Sequence, residues 1–185
     1  MRIFIFTLSL IFIANLTDAQ PDTLDFFSEP DLSHIDEQYK LLYKSGLSQE
    51  EIEQVKQNLA IKSISLKRSG CYGPCPVYNL TFYLSGTAEY NGIRNVNKKG
   101  NYTGKISIWN YGKLCYLIDN IGFTQLEDKY RLRATDLASV TIIVNYKNGD
   151  QKKVYDYGSQ GPIEFWSLTK AIDGIKNEID WKKNE

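Results

Sequence analysis

The sequence predicts an α+β domain: a mainly antiparallel sheet built of hairpins, with two amphipathic helices packed on one face to make two layers. Three observations carry this. Segments that alternate apolar and polar residues come in pairs joined by short Gly-containing turns, the way adjacent antiparallel strands connect. Two later segments repeat apolar residues every three or four positions, the period of a one-faced helix. A sheet with one apolar face needs a cover, and those helices can supply it.

The elements follow in chain order. Met1-Arg2, the apolar run Ile3 to Ala14 and the small residues up to Ala19 make the three parts of a secretory signal, with a cut expected after Ala19. The run is too short for a membrane span, which needs about 20 apolar residues. Residues 1–19 are thus read as a signal peptide, and the mature protein as carrying no membrane anchor. Residues 20–60 are read as an N-terminal extension, acidic and interrupted by Pro21 and Pro30, with a short helix near Ile35 to Tyr43. Ser48 with Glu51 forms a capping box ahead of Ile52, Val55 and Leu59, so a second short helix ends near Ala60.

Residues 61–181 are read as a single domain. Ile61 to Arg68 is a strand, and Gly70 to Pro76 is a dense turn signal. Tyr78, Leu80, Phe82 and Leu84 alternate with polar residues, Ser85-Gly86 turns the chain, and Thr87 to Asn91 returns it. A further strand is expected between Arg94 and Gly104. Tyr111, Leu114, Cys115, Ile118 and Ile121 lie on one helical face over Ser107 to Ile121, with Gly122 placed to end it. Gly112 inside that helix costs up to about 1 kcal/mol relative to Ala. Val140 to Tyr146 and Gln151 to Tyr157 flank Asn148-Gly149, the signature of a type I′ hairpin turn. Pro162 opens a last helix striped by Phe165, Leu168, Ile172, Ile175 and Ile179, with Trp181 just beyond.

Charge excludes some functions. The chain has 22 basic and 22 acidic residues, and the signal removes one of each. A nucleic-acid binder carries a basic excess or stripe, and strong attraction to anionic membranes needs the same. Neither nucleic acid nor a membrane surface is therefore expected as partner.

Chemistry-bearing residues are few. Cys71 and Cys75 are separated by three residues in Cys71-Tyr72-Gly73-Pro74-Cys75-Pro76. An exported chain meets an oxidising compartment, and Gly73-Pro74 can bring two Cα atoms to the 4.4–6.8 Å of a bridge (about that range). The pair is read as a local disulfide. Thiol–disulfide redox chemistry is the alternative, although such sites space their cysteines by two and set the first at a helix N-terminus. A metal site would have to recruit Cys115 or His34. Cys115 falls on an apolar helix face and is read as a small core residue. His34, the single histidine, lies in the extension, and no nucleophile–base motif accompanies it. Glu127, Asp128 and Asp136 could serve a carboxylate-dependent hydrolase, or be solvated loop charges. No motif calls for a cofactor. Among 13 tyrosines, Tyr72, Tyr83, Tyr155 and Tyr157 fall in the turn or on strands and form a possible binding surface for a protein or glycan.

The stretch Cys71-Tyr72-Gly73-Pro74-Cys75-Pro76-Val77-Tyr78, followed by Gly86 and Tyr90-Asn91-Gly92, resembles the DUF 6438 family of bacterial exported domains. Gly100, Tyr102 and Gly104, Phe123, Leu126 and Tyr130, Asp136, Ile172-Asp173 and Trp181 extend the resemblance over Ile61 to Trp181. It implies a bacterial source, a periplasmic or secreted location and a structural cysteine pair. It carries no activity and no catalytic residue. The expectation is therefore a non-enzymatic binding or interaction module of the bacterial envelope. The redox protein using Cys71 and Cys75, and the hydrolase, stand as alternatives.

Overall fold

The computed structural model describes residues 32–185, and the signal peptide expected at residues 1–19 lies outside them. The compact unit runs from His34 to Glu185. Its elements are α1 (Glu37–Lys40), a 3-10 turn (Leu41–Tyr43), α2 (Gln49–Asn58), β1 (Ile61–Arg68), β2 (Val77–Tyr83), β3 (Thr87–Arg94), β4 (Gly100–Lys105), α3 (Ile108–Asn120), a 3-10 turn (Phe123–Gln125), β5 (Lys129–Arg131), β6 (Ser139–Tyr146), β7 (Gln151–Tyr157), α4 (Ile163–Glu178) and β8 (Lys182–Lys183). This is an α+β chain whose eight strands form one sheet in the order β5-β7-β6-β1-β2-β3-β4-β8. Every pairing is antiparallel except β5 with β7.

Local chemistry starts and stops the helices where the sequence puts the signals. Ser48 Oγ accepts from Glu51 N at 3.2 Å, and the Glu51 carboxylate accepts from Ser48 N at 2.9 Å, so two of the free N–H groups of α2 are satisfied. Ser107 Oγ does the same for Asn110 N at the start of α3. Gly122, in a left-handed conformation, ends that helix.

The strands bury alternate residues. Ile64 and Leu66 on β1 lie opposite Phe82 and Leu80 on β2, and opposite Val144 and Ile142 on β6; all six are fully buried. Ser65, Thr81, Ile143 and Asn145 point the other way and are partly exposed. Phe165, Leu168 and Ile172 of α4, and Tyr111, Leu114 and Ile118 of α3, complete the core. Each such side chain is worth about 1.5–3 kcal/mol relative to leaving it exposed.

Three differences from expectation have local causes. First, the segment from His34 to Ala60 packs with the domain. Tyr39, Leu42, Val55 and Leu59 are buried, Tyr39 Oη donates to Asp119, and the Tyr39 and Tyr116 rings meet edge to face at 5.1 Å. Second, the Asn148-Gly149 hairpin is not a type I′ turn. Gly149 alone of the pair has a positive φ (95°), Gly149 N donates to Tyr146 O, and Tyr146 N donates to Asp150 O. That is a type I turn followed by a left-handed glycine, a three-residue loop. Lys147 holds it in place, because its N–H donates to Ala60 O and its ammonium to the Lys56 and Gln57 carbonyls at the end of α2. Third, two short strands, β5 and β8, fall where the sequence suggested loop and chain end.

Candidate functional site

One end of the sheet gathers a polar cluster. Arg68, the last residue of β1, pairs in register with Tyr78 near the start of β2. Arg68 Nε donates to Tyr78 Oη at 3.0 Å, and the guanidinium also donates to Asp173 Oδ2. Tyr78 Oη donates in turn to Asp173 Oδ1. Asp173 lies on α4, where Lys170, Asp173, Lys176 and Asn177 share a face through spacings of three and four. The Lys176 ammonium stands 4.6 Å from the centroid of the Tyr78 ring.

An aromatic chain continues from there. Tyr78 meets Tyr90 at 5.5 Å, and Tyr90 meets Trp181 at 5.5 Å and Tyr102 at 6.1 Å. Trp181 Nε1 donates to Lys176 O at 2.9 Å, which folds the chain after α4 back against β3. The β3–β4 connection closes the rim. A Cβ on Gly92 would lie 1.8 Å from Lys98 O, so only glycine lets this loop approach the strand so closely. Together these residues line a pocket of about 600 Å³, with Arg68, Tyr78, Tyr90, Lys98, Lys170, Asp173, Lys176 and Trp181 in its wall.

The electrostatics follow from burial. Tyr78 is pushed well above the ordinary phenol range, by burial first and by its bond to Asp173 second. Burial opposes the Arg68 charge, and Asp173 and Tyr78 more than offset that, so its pKa is raised. Lys176 is lowered: burial dominates, Asp173 works against the shift, and Arg68 adds to it.

The sequence-derived candidates lie around this pocket or away from it. Cys71 and Cys75 are bridged across a Cα–Cα distance of 5.6 Å, in the loop between β1 and β2. That loop buttresses the rim, because Asn95 Nδ2 donates to Cys75 O at 3.1 Å and Pro76 lines the pocket. Tyr72 at its tip is 93% exposed. Tyr83 and Tyr155 share the polar sheet face but do not meet. Tyr155 lies opposite Thr141, Thr141 opposite Lys67, and Lys67 opposite Asn79, four residues along β2 from Tyr83. They are thus about 14 Å apart across the strands and about 13 Å along them. Tyr83 Oη donates to Glu89 at 2.8 Å, and Tyr157 Oη accepts from Leu137 N at 3.1 Å.

Glu127, Asp128 and Asp136 are exposed. Asp128 pairs with Lys152 at 2.7 Å, and the Asp136 carbonyl accepts from Tyr72 N. No second carboxylate lines the pocket that holds Asp128. His34 is exposed, Cys115 is buried with its thiol pKa pushed up by burial, and no cluster of metal ligands occurs among the described residues.

The basic residues Arg68, Lys98, Lys170 and Lys176 escaped sequence reasoning. One signal was present: Lys170, Asp173 and Lys176 form a second stripe beside the apolar stripe of α4. Asp173, Tyr90 and Gly92 are marked in the sequence only by the family resemblance and Trp181 also by its place just past the last helix, and the fold brings the four to one place. No curated protein matches the chain. The model of the domain of unknown function DUF6438 matches residues 62–176, which hold every charged residue of the pocket, and the chain belongs to that family.

Proposed function

We propose that the protein is a non-enzymatic binding module, exported by a cleaved signal peptide to the bacterial periplasm or beyond, and that its ligand sits in the Arg68–Tyr78–Asp173 pocket. The helices α3 and α4 form a second layer on the apolar sheet face, and α4 supplies Lys170, Asp173 and Lys176 to the pocket wall. The observation that carries the reading is the closed triad. The hydroxyl and the carboxylate of the pocket are hydrogen-bonded to each other and to Arg68. A general acid or base must exchange its proton near the working pH, and Tyr78 is driven away from that range. Side chains locked by one another make a fixed wall, which suits holding a ligand.

The redox alternative gains nothing from the surroundings of Cys71 and Cys75, which sit between two strands with no helix N-terminus to favour a thiolate. The hydrolase alternative gains nothing from Glu127, Asp128 and Asp136, which are exposed; Asp128 pairs with Lys152, and no second carboxylate lines the pocket beside it.

Thermal-shift titration of the mature protein with a panel of neutral sugars, short peptides and small anions tests the proposal. A bound ligand should raise Tm, by about 2.7 kcal/mol in stability at a hundredfold excess over Kd. It should be recovered chemically unchanged, and Lys98→Ala or Arg68→Ala should weaken the shift. A ligand recovered as a reaction product, or a shift indifferent to both variants, overturns it.

A further inference from the structure

The chain balances 22 basic against 22 acidic residues, yet the pocket wall sets Arg68, Lys98, Lys170 and Lys176 against one carboxylate, Asp173. That carboxylate is committed, one oxygen to Arg68 and the other to Tyr78. Its charge offsets the guanidinium and acts at longer range on Lys176, with which it makes no salt bridge; Lys98 and Lys170 are exposed and have no acidic partner in the wall. Lys98 and Lys170 lie over the Tyr102 and Trp166 rings at 5.8 and 5.5 Å. A ring face orients an ammonium without neutralising it.

Lys176 is the most demanding of the three. It is half-buried over Tyr78, and its ammonium makes no hydrogen bond or ion pair among the described residues. Withdrawing a cation from water without a directly paired counter-charge is unfavourable; burial lowers its pKa, and Asp173 opposes that only in part. An anion seated here would supply the missing partner.

We propose that this pocket binds a phosphate monoester of about the size of a sugar phosphate, with its phosphoryl group held by Lys176, Lys98 and Lys170 beside the fixed Arg68 guanidinium. Four basic groups against one carboxylate leave the wall three positive charges in excess, which favours a dianion over a carboxylate. The volume of about 600 Å³ lies within the range of small-molecule pockets and exceeds what a bare phosphate fills. Asn97 and Asn177, also in the wall, offer amides to the hydroxyl groups of such an ester. This proposal rests on the binding-module reading and names the ligand class for the same site.

The test is calorimetric titration of the mature, oxidised protein with glucose 6-phosphate, glucuronate, glucose and inorganic phosphate. Glucose 6-phosphate should bind at least about tenfold more tightly than glucuronate, the expected gain from an added charge-assisted hydrogen bond. It should bind more tightly than inorganic phosphate, and glucose should not bind. Affinity should fall with added salt, and again as the phosphate loses its second charge below about pH 6. Lys176→Ala and Lys98→Ala should each weaken binding about tenfold, while Lys153→Ala on the far sheet face leaves it unchanged; matching circular dichroism establishes that each variant folds.

Equal or tighter binding of glucuronate or glucose, lost in Lys176→Ala, would overturn the phosphate assignment while leaving the binding module standing. Binding of inorganic phosphate alone would overturn the ester. Release of glucose from glucose 6-phosphate would overturn the binding-module reading while leaving the ligand class in place.

Discussion

Asp173 ties two strands to a helix through two oxygens. It is 22% exposed, so water screens the Arg68 pair in part and the Coulombic gain is modest. What matters more is what its removal would leave behind. Asp173→Asn takes the charge from beside a partly buried guanidinium and one acceptor from Tyr78. We expect a loss of about 1–3 kcal/mol in urea unfolding, and about 1 kcal/mol for Tyr78→Phe, which keeps the ion pair. A loss below a few tenths for Asp173→Asn would mean that the cluster is solvated in solution. Two glycines were as hard to read as the charges of the pocket. Gly112 weakens the α3 pattern, and the structure gives the reason for it: a Cβ there would stand 2.4 Å from Leu42, which packs from the segment before α2. Nothing within the Ile108–Asn120 segment announces that neighbour, because the contact joins residues about seventy positions apart. Gly92 is similar, its need set by the Lys98 carbonyl.

At the scale of elements, legibility followed length and period. The strand Ile61–Arg68 was readable to the residue, and the capping box placed the start of α2. β5 and β8 were not readable, because Lys129–Arg131 and Lys182–Lys183 are too short and polar to show a period of two. On α4 the apolar stripe was plain. Its pocket-facing stripe was not, because lysines at helical spacing are what any solvated face carries. The start of α2 makes a pH prediction. Glu51 is lowered from 4.5 to about 2, first by its bond to Lys44 at 2.5 Å and then by the Ser48 N–H. A carboxylate with a depressed folded pKa adds stability above its unfolded value and loses it as pH falls through the folded one. The cap should therefore weaken between about pH 4.5 and 2. Carboxyl NMR titration should find Glu51 with the low midpoint, and Lys44→Ala, which removes the largest cause, should raise it. A Glu51 midpoint near 4.5 in the wild type would contradict this.

For the whole molecule, the sequence made the fold class and the alternation of the sheet legible, because both follow from local period. It left the pocket hidden, since the pocket is made by register: Arg68 reaches Tyr78 through strand pairing, and Asp173 arrives from a helix about one hundred residues later. The cysteines make a global prediction. Thiol counting on unreduced protein should find one thiol, that of Cys115, unreactive until denaturation, because it is buried and its thiolate disfavoured. Three thiols would contradict the bridge. Reducing the five-residue loop should lower stability by about 2 kcal/mol and loosen the rim that Asn95 ties to Cys75.

The two shortest strands have a consequence for solubility. A sheet of eight strands ends in two edges, and an unpaired edge is a template for another chain. Here β8 lays Lys182 and Lys183 along Thr103 and Tyr102, and β5 lays Lys129 and Arg131 along Tyr155 and Tyr157. Each border is a few residues long and positively charged, so two copies meeting edge to edge would repel. Lys182→Val with Lys183→Val should convert one border into an apolar seam, and light scattering should then find larger species than the wild type forms at the same concentration.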